Sequence, residues 1–395
     1  MGRVVVTGLG VISALGNSLD ANHDALVKGT CGILPAEFVR SKYAESLLFG
    51  EVKIDNEGLK KLFGITGDGV TRTSLLALKA LKEAIEDSGL DVTRVSGYDT
   101  ALIGASTVGG MSQTDELYQD ARSETNGSVY MSAYDCASVT LFLREWFGIK
   151  GVTNTINTAC SSSANAIMFG AQLIHNGFAK RAIVGGVDSL SKFTINGFNS
   201  LGILSPGKCS PFDKDRNGLN LGEGAAFLVL EREEDVKNKK VYCSLTGYHN
   251  SNDAYHPSSL SEDGKGPCLA MKGALDKAML EPGEIGFINT HGTGTENNDE
   301  VESRAMLRIF EEVPPFASSK SKIGHTLGAS AAVESVFSIL ALHHGEIYPG
   351  LNFSNPIEST RLRPVDETRK ANLRNVMTNS FGFGGNCSSL IFSKA

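Results

Sequence analysis

Short apolar runs of strand length alternate with stretches of helical periodicity along this chain. After position 160, for instance, small and apolar residues recur at i, i+3, i+4 and i+7, which is the spacing of one helix face. The predicted strands are residues 4–6, 101–103, 182–184, 227–230, 242–245, 287–288 and 390–392. The predicted helices are residues 73–88, 164–175, 268–279 and 333–340. Short apolar strands between helices indicate an α/β protein with buried sheets.

The alternation is interrupted by a charged run and then restarts. Residues 231–240 read EREEDVKNKK, and we take this run as the junction between an N-terminal half, residues 1–239, and a C-terminal half, residues 240–395. The halves resemble each other, because Cys160 and His325 each precede a helix rich in serine and alanine. This similarity predicts a duplicated βα architecture in which the two turn-to-helix segments meet at a central site. Chance similarity between two alanine-rich helix starts is the competing interpretation.

One cysteine stands at the start of a predicted helix, in the sequence NTACSSSA around Cys160. Ser161, Ser162 and Ser163 suit the first helical turn, where hydroxyl groups cap free N–H groups. The positive end of the helix dipole favours the thiolate, which is the nucleophilic form of cysteine. A free cysteine is nevertheless commonly a buried and inert residue, so its position alone does not assign a role.

Three further segments carry candidate chemistry: NTHGTGT with His291, SSKSKIGH ending at His325, and the glycine-rich NSFGFGGN at residues 379–386. A cysteine and two histidines on loops at strand ends suit acyl transfer. The thiolate takes an acyl group from a thioester, and backbone N–H groups hold the oxyanion. Two neutral imidazoles can donate hydrogen bonds to a second thioester carbonyl. Taken singly, each segment also has an ordinary structural explanation.

Composition argues against several other classes of protein. A formal net charge of -7 disfavours nucleic-acid binding through bulk positive charge. Seven cysteines without metal-ligand spacing indicate a reduced, cytoplasmic protein with no metal site. Gly8 and Gly10 do not complete a dinucleotide fingerprint, since Ser13 stands where the third glycine belongs. Residues 1–15 lack the features of a signal peptide, and we expect no membrane insertion.

Together and in order, the segments resemble the β-ketoacyl-ACP synthases of the elongating type (ketosynthase I/II, thiolase superfamily), ACP being acyl carrier protein. The resemblance runs nearly end to end and includes VVVTGLGVISALG, PFDKDRNGLNLGEGAAFLVLE, SNDAYHPSS, HGTGT, KSKIGHTLGASAAVES and NSFGFGG. It implies an α/β protein of the thiolase fold, with duplicated βαβ halves in five layers, α-β-α-β-α, and usually a dimer.

The resemblance also implies catalytic roles for five residues. Cys160 is the nucleophile that accepts the growing acyl chain. His291 and His325 bind the malonyl thioester carbonyl and promote decarboxylation. Lys320 and Glu334 match the family's supporting charged pair. The implied reaction is a decarboxylative Claisen condensation of malonyl-ACP with the acyl chain on Cys160, in fatty acid or type II polyketide or aryl-polyene elongation, with no metal or redox cofactor.

Substrate-binding residues are implied in the same way. The amides of Cys160 and Phe383 match the oxyanion hole, and Phe383 matches a gating aromatic residue. The other implied contacts are Thr293 and Thr295 for the phosphopantetheine arm, and Val108, Phe198 and residues 131–134 for the acyl pocket. The implied partners are acyl carrier protein and either an identical chain or a related chain-length-factor subunit.

Two departures from the family pattern leave details open. Asn386 and Cys387 stand where the family usually has Thr-Asn, and Cys387 is expected to be a packing variant. Residues 196–203, expected to form a loop, lack the arginines that contact the carrier protein in housekeeping synthases. These departures favour a specialised type II synthase of polyketide or aryl-polyene assembly. The alternatives are a non-catalytic chain-length-factor-like subunit and a thiolase acting on coenzyme A thioesters.

Overall fold

The computed structural model describes residues 2–123, 128–237 and 239–395. Its strands are β1 (Val4–Ile12), β2 (Leu34–Pro35), β3 (Leu48–Phe49), β4 (Thr100–Ala105), β5 (Thr153–Ile156), β6 (Arg181–Asp188), β7 (Gly224–Arg232), β8 (Cys243–Asn252), β9 (Phe287–Asn289), β10 (Phe316–Ala317), β11 (Glu346–Ile347), β12 (Arg369–Lys370), β13 (Asn375–Phe381) and β14 (Asn386–Ser393). Its α-helices are α1 (Leu19–Val27), α2 (Asn56–Phe63), α3 (Arg72–Ser88), α4 (Val92–Val95), α5 (Thr114–Ser123), α6 (Ala137–Phe147), α7 (Ser162–His175), α8 (Lys192–Ser200), α9 (Lys265–Ala278), α10 (Glu296–Ile309), α11 (Lys320–Ile323) and α12 (Ser330–His344). Each strand and helix predicted from the sequence coincides with one of these elements.

Ten strands follow one another in the order β10-β9-β13-β14-β8-β1-β7-β6-β4-β5. The order divides between β8 and β1, which pair only at Val5 with Ser244 and at Val6 with Cys243. Within each group of five, we number the strands first to fifth by their order along the chain. From the outer edge of the sheet to the division, both groups then have the same order: third, second, fourth, fifth, first. In both groups the second strand is parallel to the third and fourth, and the fifth is antiparallel to its two neighbours. The predicted duplication is therefore confirmed.

The helices occupy matching places in the two halves and complete five layers. Helices α7 and α12 both connect a third strand to a fourth strand, and they share one apolar core with residues of both strand groups, including Val184 and Val376. Helices α3 and α6 pack on the outer side of the first group, and α9 and α10 on that of the second. Because sheets cover α12 on both sides, its buried residues are not confined to one stripe.

Within the part of the chain that the structure describes, one segment, Leu327–His344, is long and apolar enough to cross a membrane, but 89% of it is buried inside the protein. The stretch consists of α12 and the turn before it, so its apolar character follows from its place between the two strand groups.

Three segments of the chain were expected to be loops or a junction between the halves. Residues 196–200 were expected in a loop but belong to α8, and residues 379–381 of the expected glycine-rich loop belong to β13. In the charged run at residues 231–240, Asn238 lies outside the described residues, and Glu231 is buried at the end of β7. The division into residues 1–239 and 240–395 remains a prediction.

Candidate active site

Cys160 lies in a tight turn between β5 and α7. Ala159, which precedes it, has φ 54°, in the left-handed region that costs a residue with a side chain on the order of 1 kcal/mol. The Ser162 hydroxyl holds this turn, since it accepts a hydrogen bond from the Thr158 N–H at 2.9 Å and donates one to the Ala159 carbonyl. The strained turn thus presents Cys160 at the N-terminal end of α7, against the cavity described below.

The serines after Cys160 do not cap α7, so that prediction is wrong. Among the described residues, no side chain accepts a capping bond at this end of the helix. Ser161 Oγ donates to the Thr158 carbonyl at 2.7 Å, and Ser163 Oγ accepts from the Ala332 N–H of α12 at 2.9 Å. These hydroxyl groups instead fasten the cysteine turn and join the two central helices.

His325 approaches Cys160 from the C-terminal half of the chain. Its Nε2 atom lies 3.1 Å from Cys160 Sγ. Its Nδ1 atom accepts a hydrogen bond from the Leu327 N–H at 3.2 Å. A neutral imidazole that accepts at Nδ1 carries its proton on Nε2. His325 therefore directs an N–H donor towards the sulfur, and it is not the base that removes the thiol proton.

His291 completes a pair of imidazoles. Its ring centroid is 5.4 Å from that of His325, and the two ring planes are 85° apart. The potential ligand atoms of Cys160, His291 and His325 all lie within 4.8 Å of one another. Burial holds the pKa of both histidines well below the usual range, and the charge of Lys320 lowers both pKa values further. Both imidazoles are therefore neutral at pH 7, in the form that can donate one hydrogen bond.

Sequence reasoning missed a carboxylate that holds the His291 loop. Glu302 of α10 is fully buried and accepts hydrogen bonds from the backbone N–H groups of His291 and Gly292, each at 2.9 Å. Asn379 donates a third, from Nδ2, at 3.2 Å. Burial raises the pKa of Glu302 to about 7. The available signal was an acidic residue in the helix directly after HGTGT, where a carboxylate can reach back to the loop.

Lys320 and Glu334 form a buried ion pair beside the histidines. Lys320 Nζ lies 2.5 Å from Glu334 Oε1, and both side chains are 1% exposed. Burial raises the pKa of Glu334, and Lys320 opposes this rise. The lysine charge also lowers the pKa of Cys160, His291 and His325, so it supplies the positive potential of the site. The structure therefore brings together all five residues for which catalytic roles were implied.

The expected thiolate is not the resting form of Cys160. Burial raises the pKa of Cys160 to about 11, although Lys320 and the N–H groups of Phe383 and Cys160 itself lower it. Desolvation of the anion thus opposes the thiolate, the form that the N-terminal end of α7 favours. Because the resting group is a thiol, acyl transfer must move the sulfur proton as the new C–S bond forms.

The cysteine and two histidines also have the spacing of a metal site, which the sequence did not predict. However, the proton on Nε2 of His325 occupies the lone pair that an ion would need. A metal-free site remains our prediction.

A cavity of about 540 Å³ opens onto these side chains. Thr293 and Thr295 line it, with their hydroxyl oxygens 2.8 Å apart. Phe198 and Phe383 line it as well, and their rings stack with centroids 5.8 Å apart at 16°. Val108, predicted in the acyl pocket, instead lies in the buried apolar cluster against which Phe198 packs. The cavity therefore joins Cys160, His291 and His325 to the pantetheine residues, and Val108 does not line it.

Two other expected positions do not line this cavity. Cys387 is buried beside Phe381 and Leu260, and its Sγ contacts the Gly385 carbonyl at 3.4 Å. Burial raises the pKa of this thiol, in keeping with a packing residue. Residues 131–134, predicted at the pocket floor, lie at the surface of the single chain.

Residues 1–236 match the N-terminal domain of β-ketoacyl synthase, and residues 242–354 match its C-terminal domain. The chain belongs to the β-ketoacyl synthase family.

Curated relatives cover nearly the whole chain. It is 33% identical to the mitochondrial 3-oxoacyl-ACP synthase of Arabidopsis thaliana, over 99% of this chain and 93% of that protein. It is also 33% identical to 3-oxoacyl-ACP synthase 2 of Coxiella burnetii, over 99% of this chain and 98% of that protein.

Solved structures agree with the family assignment. The ishigamide ketosynthase/chain length factor superposes with a TM-score of 0.93 at 28% identity, covering 100% of this chain and 99% of that one. The ketosynthase ApeO in complex with its chain length factor ApeC, from Xenorhabdus doucetiae, superposes with a TM-score of 0.89 at 31% identity, covering 100% and 98%. The thiolase fold and its duplicated halves are thereby confirmed.

Proposed function

We propose that this ketosynthase elongates an acyl chain held on Cys160 by decarboxylative condensation with malonyl-ACP. The observation that carries the proposal is the Nε2–H of His325, 3.1 Å from Cys160 Sγ, with its tautomer set by the Leu327 N–H. A histidine that donates suits stabilisation of a developing enolate oxygen, whereas a base would need the opposite tautomer.

In the first half-reaction, the Cys160 thiol attacks the thioester of an acyl-ACP. The new C–S bond forms at cysteine, the old one breaks, and the sulfur proton leaves on the carrier thiol. The N–H groups of Cys160 and Phe383 lie at the sulfur, where they can hold the oxyanion of the tetrahedral intermediate. Phe383 is stacked on Phe198, so its movement would control entry to the cavity.

In the second half-reaction, malonyl-ACP loses carbon dioxide and becomes an enolate. Neutral His291 and His325 donate hydrogen bonds to the thioester oxygen that takes up the charge. The enolate carbon attacks the acyl carbonyl on Cys160, and collapse of the intermediate expels the cysteine thiolate. A proton from solvent restores the thiol and balances the step. No metal or redox cofactor enters this sequence.

Two alternatives are less well supported by the site. A thiolase would use a second cysteine as acid and base, but Cys387 does not line the cavity and is buried in an apolar cluster behind Phe381 and Leu260, which do. A chain-length-factor-like subunit would lack the nucleophile, whereas Cys160 here contacts His325 and borders the cavity.

Intact-mass analysis tests this assignment. The protein is incubated with hexanoyl-ACP built on a bacterial fatty-acid carrier, and then with malonyl-ACP. We expect a hexanoyl adduct on Cys160, followed by its loss as a β-ketoacyl-ACP forms. Cys160→Ala should form no adduct, whereas Cys268→Ala, which changes a half-buried thiol elsewhere, should behave like the parent. Acetyl-coenzyme A exchange without malonyl-ACP would instead identify a thiolase, and absence of any adduct a partner subunit.

Pairing with another ketosynthase-type chain, identical or a chain length factor, is part of the proposal. Among the described residues, β5 is the outermost strand of its group, so its second edge is open. Exposed Leu141, Trp146 and Val152 lie on and after the neighbouring α6. Solved relatives are described as ketosynthase/chain length factor pairs, and one as a type II polyketide carrier protein bound to its ketosynthase.

We extend the proposal to the cell compartment and the pathway. Seven free cysteines fit a cytoplasmic enzyme. A specialised polyketide or aryl-polyene pathway fits the absence of arginine from residues 196–203. A condensation assay across acyl-ACPs of different length and unsaturation, with product mass as the readout, tests the pathway.

A further inference from the structure

A buried carboxylate that the proposed mechanism does not use lies at the end of β6. Asp188 is fully buried and accepts hydrogen bonds from five donors. Four donors belong to the loop after β4: Ser106 Oγ at 2.7 Å, Thr107 N–H at 3.0 Å, Thr107 Oγ1 at 2.6 Å and Val108 N–H at 3.2 Å. The fifth is the Gly328 N–H at 2.7 Å, which belongs to the C-terminal half. Three of the five partners are backbone N–H groups, which can only donate, so they favour the ionised carboxylate and oppose the rise in pKa that burial causes at Asp188.

The contact with Gly328 requires a residue without a side chain. A Cβ atom at this position would lie 2.8 Å from Asp188 Oδ2 and 2.9 Å from Thr107 Cγ2. The preceding residue, Leu327, has φ 52°, which is unusual for a residue with a branched side chain. The hydrogen bond to Asp188 holds the peptide unit between Leu327 and Gly328. It thereby stabilises the strained conformation of Leu327.

This conformation matters because the Leu327 N–H donates to Nδ1 of His325. That bond places the imidazole proton on Nε2, which faces Cys160 Sγ. The chain of contacts therefore runs from Asp188 through the Gly328 peptide and Leu327 to the proton position on His325. Each step is a hydrogen bond or a covalent neighbour.

We propose that Asp188 is a positioning residue for the condensation, whose carboxylate clamps the turn that sets the tautomer of His325. The inference rests on the function proposed above. Asp188 is not a catalytic residue, since it reaches the reacting atoms only through this turn. Because the same carboxylate also holds the loop of Thr107 and Val108, the clamp joins the two halves of the chain behind the active site.

The kinetic test uses Asp188→Asn, which keeps the side-chain size but turns an amide N–H towards the donors. We expect the turnover number for malonyl-ACP decarboxylation to fall about 100-fold, as for a misplaced catalytic group, while KM changes little. Acyl transfer to Cys160 should be affected far less. Glu51→Gln is the matched control: Glu51 is a buried carboxylate that accepts three backbone N–H groups of residues 37–39. It should lose thermal stability but keep its kinetics.

A second readout reports the tautomer directly. In protein labelled with ¹⁵N-histidine, the ring-nitrogen shifts should show Nε2–H for His325 in the parent and a mixture in Asp188→Asn. His325→Asn assigns the signal. If Asp188→Asn does not fold, Gly328→Ala disturbs the same contact from the other side and should give the same two changes. Unchanged decarboxylation with an unchanged tautomer would overturn the proposal. If the parent neither loads nor decarboxylates, the proposed function fails, and the tautomer measurement alone decides the role of Asp188.

Discussion

Glu302 offers a prediction in which activity and stability change in opposite directions with pH. Its carboxylate accepts the N–H groups of His291 and Gly292, so it fixes the loop that positions one catalytic imidazole. With a pKa of about 7, this group is a carboxylate at pH 8 and largely a carboxylic acid at pH 6. Protonation removes one charged acceptor. We therefore expect decarboxylation of malonyl-ACP to fall below pH 7, approaching tenfold per pH unit.

The stability of the protein should change with pH in the opposite direction to its activity. The folded pKa of about 7 lies above the reference value of 4.5, so between these values the native protein holds a proton that the unfolded chain releases. The free energy of unfolding therefore decreases as pH rises through this window, by up to about 3 kcal/mol. In Glu302→Gln this contribution to the pH dependence should disappear.

The substitution Glu302→Gln should also change the rate of decarboxylation at a fixed pH. At pH 8, Glu302→Gln loses one charge-assisted hydrogen bond and opposes its amide N–H to a backbone donor. A displaced His291 loop should lower decarboxylation about 100-fold.

The assays are the pH profile of carbon dioxide release from malonyl-ACP and denaturant unfolding at pH 5.5, 7 and 8.5. Glu51→Gln, whose parent carboxylate likewise accepts three backbone N–H groups, is the control and should keep the parental acid limb. An acid limb that persists unchanged in Glu302→Gln would refute the reasoning, because another group would then control it.

Three further outcomes follow from the site. Lys320→Met should destabilise the fold by about 3–5 kcal/mol in urea unfolding, because it leaves the buried Glu334 unpaired; Lys320→Arg should restore part of this loss. Phe198→Ala removes the ring stacking on Phe383, which is worth about 0.5–1.5 kcal/mol, and should speed loading of Cys160. The loading rate is measured by rapid quench and mass spectrometry, and slower loading would contradict a gating role for Phe383. With a thiol pKa of about 11, iodoacetamide alkylation of Cys160 should rise about tenfold per pH unit from pH 7 to 9; a plateau near pH 8 would contradict it.

Much of the fold could be predicted because its strands and helices follow local rules. Period and β-branched content located β1, β4, β6 and β7, and the small residues after Cys160 indicated α7. Strands such as β5, with the sequence TNTI, escaped prediction because three polar residues precede a single apolar one, which gives no apolar run and no alternation. The glycine-rich segment at residues 379–386 was expected to be a loop, but residues 379–381 pair as part of β13. Sheet pairing outweighed the local turn propensity there.

The sequence by itself determined the family, the duplicated halves and the candidate catalytic residues Cys160, His291, His325, Lys320 and Glu334. Motif order and periodicity can be read directly from the linear sequence. Only the tertiary structure decided the chemical states of these residues. The thiol form of Cys160 follows from burial, and the donor tautomer of His325 follows from the Leu327 N–H. Cys160 and His325 are 165 positions apart, so no local pattern encodes their contact or the desolvation that sets their pKa values. Asp188 likewise acts through bonds that form only when distant segments meet, whereas Glu302 reaches back to the loop just before its own helix.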